Sequence, residues 1–356
     1  MSHIDTLWWN RLVNSVRFLD DVQDAAMEGR SVLLCFDGEI PWCETMLDTL
    51  EQRLGDITDS RAVDVLDVSG VDLSRKHAAG AFLMNRYCDR KERGRYWPTT
   101  HGSPERFLAQ TAETPLNKRY VCLTGIGSES LGKWSASVAE YLDNCRDPDG
   151  QGIFLLIAAC QAAGCPRQLQ LLRYADYVSD YDCMMLCLTL ISGIRCSRTE
   201  KMYLCEAASG IARGSVELAG LLASEGTALL RDPLSVAERV CRTNGFDTSG
   251  LPKQVPMAMW EAQIKLVFPL LEKFRADIIR KYESRLQIFL PIRSSNNDRV
   301  DKAADLEIGQ LYYICGMNRI TEPDELEKLR IMREARNTLA HWEPLPYDRL
   351  KELKIL

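Results

Sequence analysis

The chain has 356 residues, 46% of them hydrophobic, and a formal net charge of −6. That length suits two domains rather than a single core, and the absence of a run of about 18 apolar residues argues against a membrane-spanning helix. The acidic balance argues against a general nucleic-acid coat, because affinity for phosphate backbones comes mostly from lysine and arginine. From Gln254 onward acidic and basic residues nearly balance, so an RNA-binding surface is expected in the C-terminal part. The first residues carry Asp5, Arg11, Arg17 and two tryptophans, which is not the layout of a signal peptide; a cytoplasmic protein is expected. Thirteen cysteines are scattered without a CxxC pair, and the histidines are His3, His77, His101 and His341. Cys35, Cys122, Cys160, Cys183 and Cys187 sit in apolar stretches, where a reduced thiol behaves as a small hydrophobe. Neither a zinc site nor a disulfide framework is expected, and no cofactor.

In chain order, residues 31–36 (SVLLCF), 62–68 (AVDVLDV), 119–126 (RYVCLTGI) and 152–158 (GIFLLIA) read as strands. Helical stretches at 42–54 and 133–144 lie between them, an alternation that favours a parallel sheet covered on both faces. Residues 89–104 read as a long polar loop. The pattern turns helical from about Arg167. Residues 175–191 have helical length without Gly or Pro, whereas 199–222 are interrupted by Gly210, Gly214 and Gly220. Residues 244–256 (NGFDTSGLPKQVP) form a Gly/Pro-rich connection. A long helix is expected over 257–289, with Trp260, Ile264, Val267 or Phe268, Leu271, Phe274 or Arg275, Ile278 and Tyr282 at helical spacing and Pro269 as a point of kinking. A polar loop over 293–304 and helices over 306–315, 322–342 and 347–353 complete the chain. The helix over 322–342 opens with Pro323 and the acids Asp324, Glu325 and Glu327, all suited to a helix N-terminus.

Residues 333–343 read REARNTLAHWE. Asn337 and His341 are four apart and share a helix face, and Arg336 lies about 100° from Asn337. His341 falls in the last turn, where the helix end carries partial negative charge. A histidine can act as general acid or base toward a 2′-hydroxyl or its leaving oxygen, and an arginine can hold the phosphate and stabilise charge developing on it. The residues one turn from Arg336 are Met332, Arg333, Leu339 and Ala340, so a carboxylate partner must come from elsewhere; Glu272 on the long helix is one candidate, and more often such a residue is simply solvated. The plain structural reading gives Arg336 an ion pair and leaves His341 as a helix end.

The arginine, polar residue and histidine with this spacing, on a late helix near the chain end, resemble the HEPN superfamily. The resemblance covers the motif and the helix layout of 254–356. It implies a small helical bundle, a metal-independent endoribonuclease with Arg336, Asn337 and His341 as catalytic residues, an RNA substrate, and a composite cleft built by two motifs. One motif per chain then implies a homodimer through the C-terminal domain, and the family's occurrence in toxin and phage-defence systems implies restraint by a regulatory partner.

A second motif lies at residues 127–134, GSESLGKW. It fits the phosphate-binding loop GxxxxGK up to the position after Lys133, where the loop needs Ser or Thr and the chain has Trp134. A competing view is that the sheet resembles a degenerate AAA or STAND-type nucleotide-binding domain, with 31–36 as its first strand. The turn after that strand, Asp37-Gly38-Glu39-Ile40-Pro41-Trp42, lacks the glycine run and the lysine, and the strand ending TGI lacks paired acids. ATP hydrolysis is not expected on either view.

The sequence therefore predicts an α/β domain with a parallel, degenerate P-loop-like sheet (1–166), a helical middle region (167–253) and an all-α HEPN-like bundle (254–356). The expected function is a HEPN endoribonuclease effector. The alternative is a non-catalytic assembly or regulatory protein whose helical part only dimerises.

Overall fold

The computed structural model describes residues 4–57, 61–111, 116–146, 150–293 and 299–353. The chain forms two compact units, Met1–Asp182 and Cys183–Leu356.

The first unit is built on five strands: β1 (Ser31–Cys35), β2 (Ala62–Asp67), β3 (Arg119–Ile126), β4 (Ile153–Ala158) and β5 (Leu169–Arg173). All pair in parallel, in the order β2-β3-β4-β1-β5. Central strands β1 and β4 are buried at every position, while edge strand β2 is exposed or half-exposed throughout, which is why the first two read as continuous apolar runs and β2 as an alternation. Helices α1 (Ile4–Arg11), α2 (Val13–Met27), α3 (Cys43–Gly55), α4 (Ala78–Tyr87), α5 (Arg90–Arg93), α6 (Pro98–His101), α7 (Pro104–Gln110) and α8 (Ser128–Asn144) accompany the sheet. Four of the strands match the sequence expectation. The fifth, β5, lies beyond the expected boundary at residue 166 and pairs with β1 from Ser31↔Leu169 to Cys35↔Arg173. Its five residues carry too short a pattern to stand out beside the helical stretch that follows. The expected polar loop at 89–104 contains the short helices α5 and α6. Asp89 accepts from the Glu92 N–H, and Ser103 caps α7 by accepting from the Arg106 N–H. Near its end β3 bulges between Leu123 and Ile126, at Gly125 (φ +75°). A Cβ there would collide with the Asp67 carboxylate and the Ser69 backbone.

The divide between the units falls inside α9 (Asp180–Ile191). The second unit continues with α10 (Arg198–Ala212), α11 (Val216–Ser224), α12 (Thr227–Arg231), α13 (Pro233–Asn244) and α14 (Leu251–Gln287), a two-stranded hairpin of β6 (Ile292–Arg293) and β7 (Arg299–Val300), then α15 (Ile308–Asn318), α16 (Pro323–Ala340) and α17 (Tyr347–Glu352). The glycine-interrupted stretch resolves into α10 and α11, separated at Arg213 and Gly214, both in the left-handed region. The helices expected after residue 256 are present. α14 runs through Pro256 and Pro269; its departure from helical backbone is at Tyr282 (φ −119°, ψ 17°) rather than at Pro269. There Lys281 and Tyr282 both engage Glu325 of α16. One apolar core takes side chains from α10, α11, α13, the first half of α14, α16 and α17, so 183–253 and 254–356 bury their apolar faces together. A smaller core joins the second half of α14 to α15 and α16. The stripe Trp260, Ile264, Val267, Leu271, Ile278 and Tyr282 is spent on these two cores, which removes it as the basis for a dimer contact.

Glu200, in the first turn of α10, is 3% exposed. It accepts from Tyr347 Oη (2.5 Å), Lys351 Nζ (2.8 Å) and the Ser197 N–H (2.8 Å), tying α17 to α10. Burial by itself raises this carboxyl, but the three donors outweigh it and hold it down at about 2. A group whose folded pKa is depressed stabilises fully above its unfolded value and loses that contribution as pH falls toward the folded one. Glu200 is therefore expected to contribute roughly 2–3 kcal/mol near neutrality, lost between about pH 5 and pH 2. Urea unfolding of Glu200→Gln against the parent across that window checks it: the variant should be less stable at pH 7 and less pH-sensitive. Equal slopes in both proteins would refute the assignment.

Candidate active site

The three motif residues stand at the C-terminal end of α16. Asn337 and His341 are exposed and Arg336 is half-buried. Among the described residues neither the Asn337 nor the His341 side chain has a hydrogen-bond partner in the chain. Arg336 has one ionic neighbour, Glu307, the residue preceding α15, with Nη2 to Oε2 at 3.9 Å and both groups solvated. The other arginines of α16 are more firmly engaged. Arg330 makes a two-pronged pair with Glu327 (2.6 and 2.9 Å) and reaches Glu334 at 2.5 Å. Arg333 lies over the Tyr312 ring, 4.5 Å from its centroid. Glu272 pairs with Arg275 at 2.8 Å rather than with Arg336.

The helix end is built with unusual care. His341 closes α16; the N–H of Trp342 returns to Leu339 O (3.2 Å) and that of Glu343 to Thr338 O (3.3 Å), the bond pair of a Schellman closure. Such a closure places a residue in the left-handed region, normally glycine, and here it is Trp342 (φ +66°). Its ring stacks on Trp260 of α14, centroids 5.1 Å apart and planes 2° from parallel, and remains 67% exposed. Trp260 Nε1 donates to Leu339 O at 2.7 Å. One turn further along α14, the fully buried Gln263 donates to Leu345 O (2.9 Å) and Tyr203 Oη (2.7 Å), and accepts from the Leu345 N–H (2.7 Å). Trp260 and Gln263 thus fix the chain on both sides of His341. Sequence reasoning placed Trp260 in an apolar stripe and passed over Gln263, although an amide three residues on from a tryptophan in that stripe was the available signal. Glu307 was also missed; it belongs to a Glu-x-x-Gln capping box with Gln310.

In the first unit, the GxxxxGK match does not form a loop. Ser128–Asn144 is helical from its first residue, Gly127 N donates to Ser130 Oγ (3.1 Å), Trp134 is fully buried, and Lys133 Nζ donates to Leu73 O (3.0 Å). A phosphate cradle needs several backbone N–H groups converging from a loop, and here residues 128–133 are spent in helical turns. The other place for an anion is the carboxyl end of β1. The connections from neighbouring β1 and β4 leave in opposite directions there, as at the crevice where open α/β sheets bind ligands. That end is closed by aromatic rings. Phe36 packs on Tyr174 (4.9 Å) and Phe18 (5.6 Å), Trp42 lies against Trp8, and Trp9 Nε1 donates to Pro41 O at 2.8 Å. Asp37, Glu39 and Glu44 add negative charge around the start of α3. The fold also brings together three residues that sequence reasoning did not connect, His77, Glu105 and Glu140.

No family profile matches the sequence, and no curated protein matches it. Among solved structures, two variants of RuvB from Thermotoga maritima are similar, at 10% and 12% identity, each over 80% of this chain and 89% of that one, with a TM-score of 0.35. Likeness at that level establishes neither a family nor an activity. No helix among the described residues is long and apolar enough to cross a membrane.

Two outcomes are expected. Gln263→Leu strands the buried N–H and C=O of Leu345 and should lower stability by about 2–4 kcal/mol, read from denaturant midpoints; a change below ~0.5 kcal/mol would mean that this bridge does not hold the segment. Purified protein should show no ATP turnover, and any ATP affinity should be unchanged by Lys133→Ala; hydrolysis abolished by that substitution would restore a phosphate site at α8.

Proposed function

We propose that Cys183–Leu356 is a HEPN-type endoribonuclease unit in which Arg336, Asn337 and His341 carry the reaction. The observation that supports this most is the contrast along α16: Arg330 and Arg333 are engaged within the fold, while Asn337 and His341 face solvent and the half-buried Arg336 has only an ionic neighbour at 3.9 Å, at a helix end that Trp260 and Gln263 hold in place. In the proposed reaction the RNA 2′-oxygen bonds to the adjacent phosphorus as its proton passes to a general base, and the bond to the 5′-oxygen breaks as that oxygen gains a proton. His341 serves one of these transfers and Arg336 holds the non-bridging oxygens through the transition state. Asn337 orients a neighbour and cannot move a proton at neutral pH. A second copy of the chain supplies the other transfer from its own motif. The first unit, with the end of β1 closed by aromatic rings, acts in this reading as a sensing or docking element rather than a nucleotide motor, in a restrained effector such as a defence or toxin protein.

Incubation of the full chain with total tRNA and rRNA in EDTA tests the reading. Cleavage leaving cyclic or 3′-phosphate ends is expected, lost on His341→Ala and on Arg336→Ala and weakened on Asn337→Ala, with circular dichroism and oligomeric mass unchanged. The full chain is the right sample, because 254–356 shares its core with 183–253. Fully active alanine variants would end the ribonuclease reading. A strictly monomeric chain without a partner would remove the composite site and favour the non-catalytic alternative.

A further inference from the structure

Beside the first unit's sheet, α4, α7 and α8 enclose an open cavity of about 360 Å³. His77, Glu105 and Glu140 converge on it. His77 precedes α4, Glu105 lies in the first turn of α7, and Glu140 is in the second half of α8. Glu105 is 1% exposed, and its Oε2 has no hydrogen-bond partner. Room for that carboxylate is made by Gly80 of α4, where a Cβ would collide with it. His77 Nδ1 stands 3.2 Å from Glu105 Oε2 as an ionic neighbour but outside hydrogen-bond geometry, and a buried carboxylate so weakly matched is costly unless a cation meets it.

The two carboxylates are oriented alike. Ser137 Oγ donates to Glu105 Oε1 at 2.8 Å, and Ser103 Oγ donates to Glu140 Oε1 at 2.5 Å. Each glutamate is thus held through one oxygen, and the other faces His77: Nδ1 lies 3.2 Å from Glu105 Oε2 and 3.7 Å from Glu140 Oε2. All three donor atoms fall within 4.8 Å of one another. Ligand atoms about 2.0–2.2 Å from a single ion stand roughly 3–3.5 Å apart, so the two His77 distances already approach that geometry and a small turn of the half-exposed Glu140 completes it. Among the described residues no lysine or arginine pairs with either carboxylate: Lys133, which lines the same cavity, is taken by Leu73 O, and Arg75 and Lys76, which also line it, form no ion pair with Glu105 or Glu140. His77 itself is held at φ +56°, a left-handed conformation uncommon for a side chain of this size.

We propose that His77, Glu105 and Glu140 bind a divalent first-row transition ion of the Mn²⁺ to Zn²⁺ range, with Ser103 and Ser137 as the residues that aim the carboxylates. One imidazole and two carboxylates without a thiolate suit ions of that hardness, and hydroxyls that fix ligating carboxylates are the usual outer support of such a site. Three protein ligands leave further coordination positions toward the cavity. The ion joins α4, α7 and α8, elements that are otherwise distant in sequence. This site lies in the first unit, and the proposal stands independently of the ribonuclease reading.

Mn²⁺ is the probe of choice, because Zn²⁺ would also bind some of the thirteen free cysteines. Metal-stripped full-length protein is titrated with Mn²⁺, and the free ion is followed by electron paramagnetic resonance. One ion per chain is expected, with a rise in thermal midpoint on binding. Glu140→Gln and His77→Ala should each weaken binding by more than about 100-fold, and Ser103→Ala by about 10–100-fold. Glu140 and His77 are partly exposed, so their variants test the site without disturbing the buried Glu105. Absence of uptake at millimolar Mn²⁺, or uptake unaltered in both Glu140→Gln and His77→Ala, would overturn the site.

Discussion

The candidate active site depends on Gln263. Its amide is fully buried and saturates both backbone groups of Leu345 while donating to Tyr203. Because Leu345 follows α16 by only a short turn, this one side chain decides where the chain goes after His341. Trp260, one turn earlier on the same helix, takes the carbonyl of Leu339 on the other side. The last carbonyls of a helix have no partner of their own; here part of that deficit is met by α14, and the position of the motif becomes a property of the helix packing rather than of a free end. The same contacts bring α17 into the core, where Tyr347 and Lys351 reach Glu200. Buried polar groups that are fully satisfied specify one arrangement more sharply than apolar contacts do.

The first unit spends its polar and aromatic groups differently. At the carboxyl end of β1, rings from α1, α2 and the segment after β5 pack against Phe36 and Trp42, and the surrounding side chains include Asp37 and Glu39. A sheet end that received phosphate would present backbone N–H groups and positive charge. The cavity beside α4, α7 and α8 instead gathers the carboxylates of Glu105 and Glu140 at His77, on a wall that elsewhere carries Arg75, Lys76 and Lys133.

Much of this was legible in the sequence. Strands β1 and β4 read clearly because both faces are covered and every residue except Ser31 is apolar. The helices after residue 256 read clearly because Pro, Gly and acidic first turns mark their ends, as at Pro323 with Asp324 and Glu325, whereas the opening of α14 at 251–256 reads as connection because Pro252 and Pro256 lie in it. Strand β5 did not read, since five residues next to a helical stretch carry no distinctive period. The sharing of one core by 183–253 and 254–356 did not read either: a Gly/Pro-rich connection such as 244–256 marks a turn between helices as readily as a boundary between domains. Of the motif residues, the sequence supplied identity and spacing, and the structure added what spacing cannot carry, that Glu307 stands 3.9 Å from Arg336 and that two residues of α14 hold the turn. His77, Glu105 and Glu140 come from three different helical elements, and their separation of 28 and 35 residues follows no ligand repeat.

Trp342 shows how the helix end could serve more than packing. Holding a residue other than glycine in the left-handed region costs about 1–2 kcal/mol, and the stack on Trp260 returns about 0.5–1.5 kcal/mol. The two nearly cancel, so stability gives little reason to prefer tryptophan over glycine at this position. What tryptophan adds is a second aromatic face beside His341 that remains largely in solvent. An unpaired base presents its own face to such a ring, and stacking of this kind is the commonest way a protein grips single-stranded RNA without reading its sequence. In the ribonuclease reading the strain at Trp342 is thus tied to the motif: the backbone conformation that ends α16 is the one that lays an aromatic plane next to the histidine, and α14 supports that plane from behind.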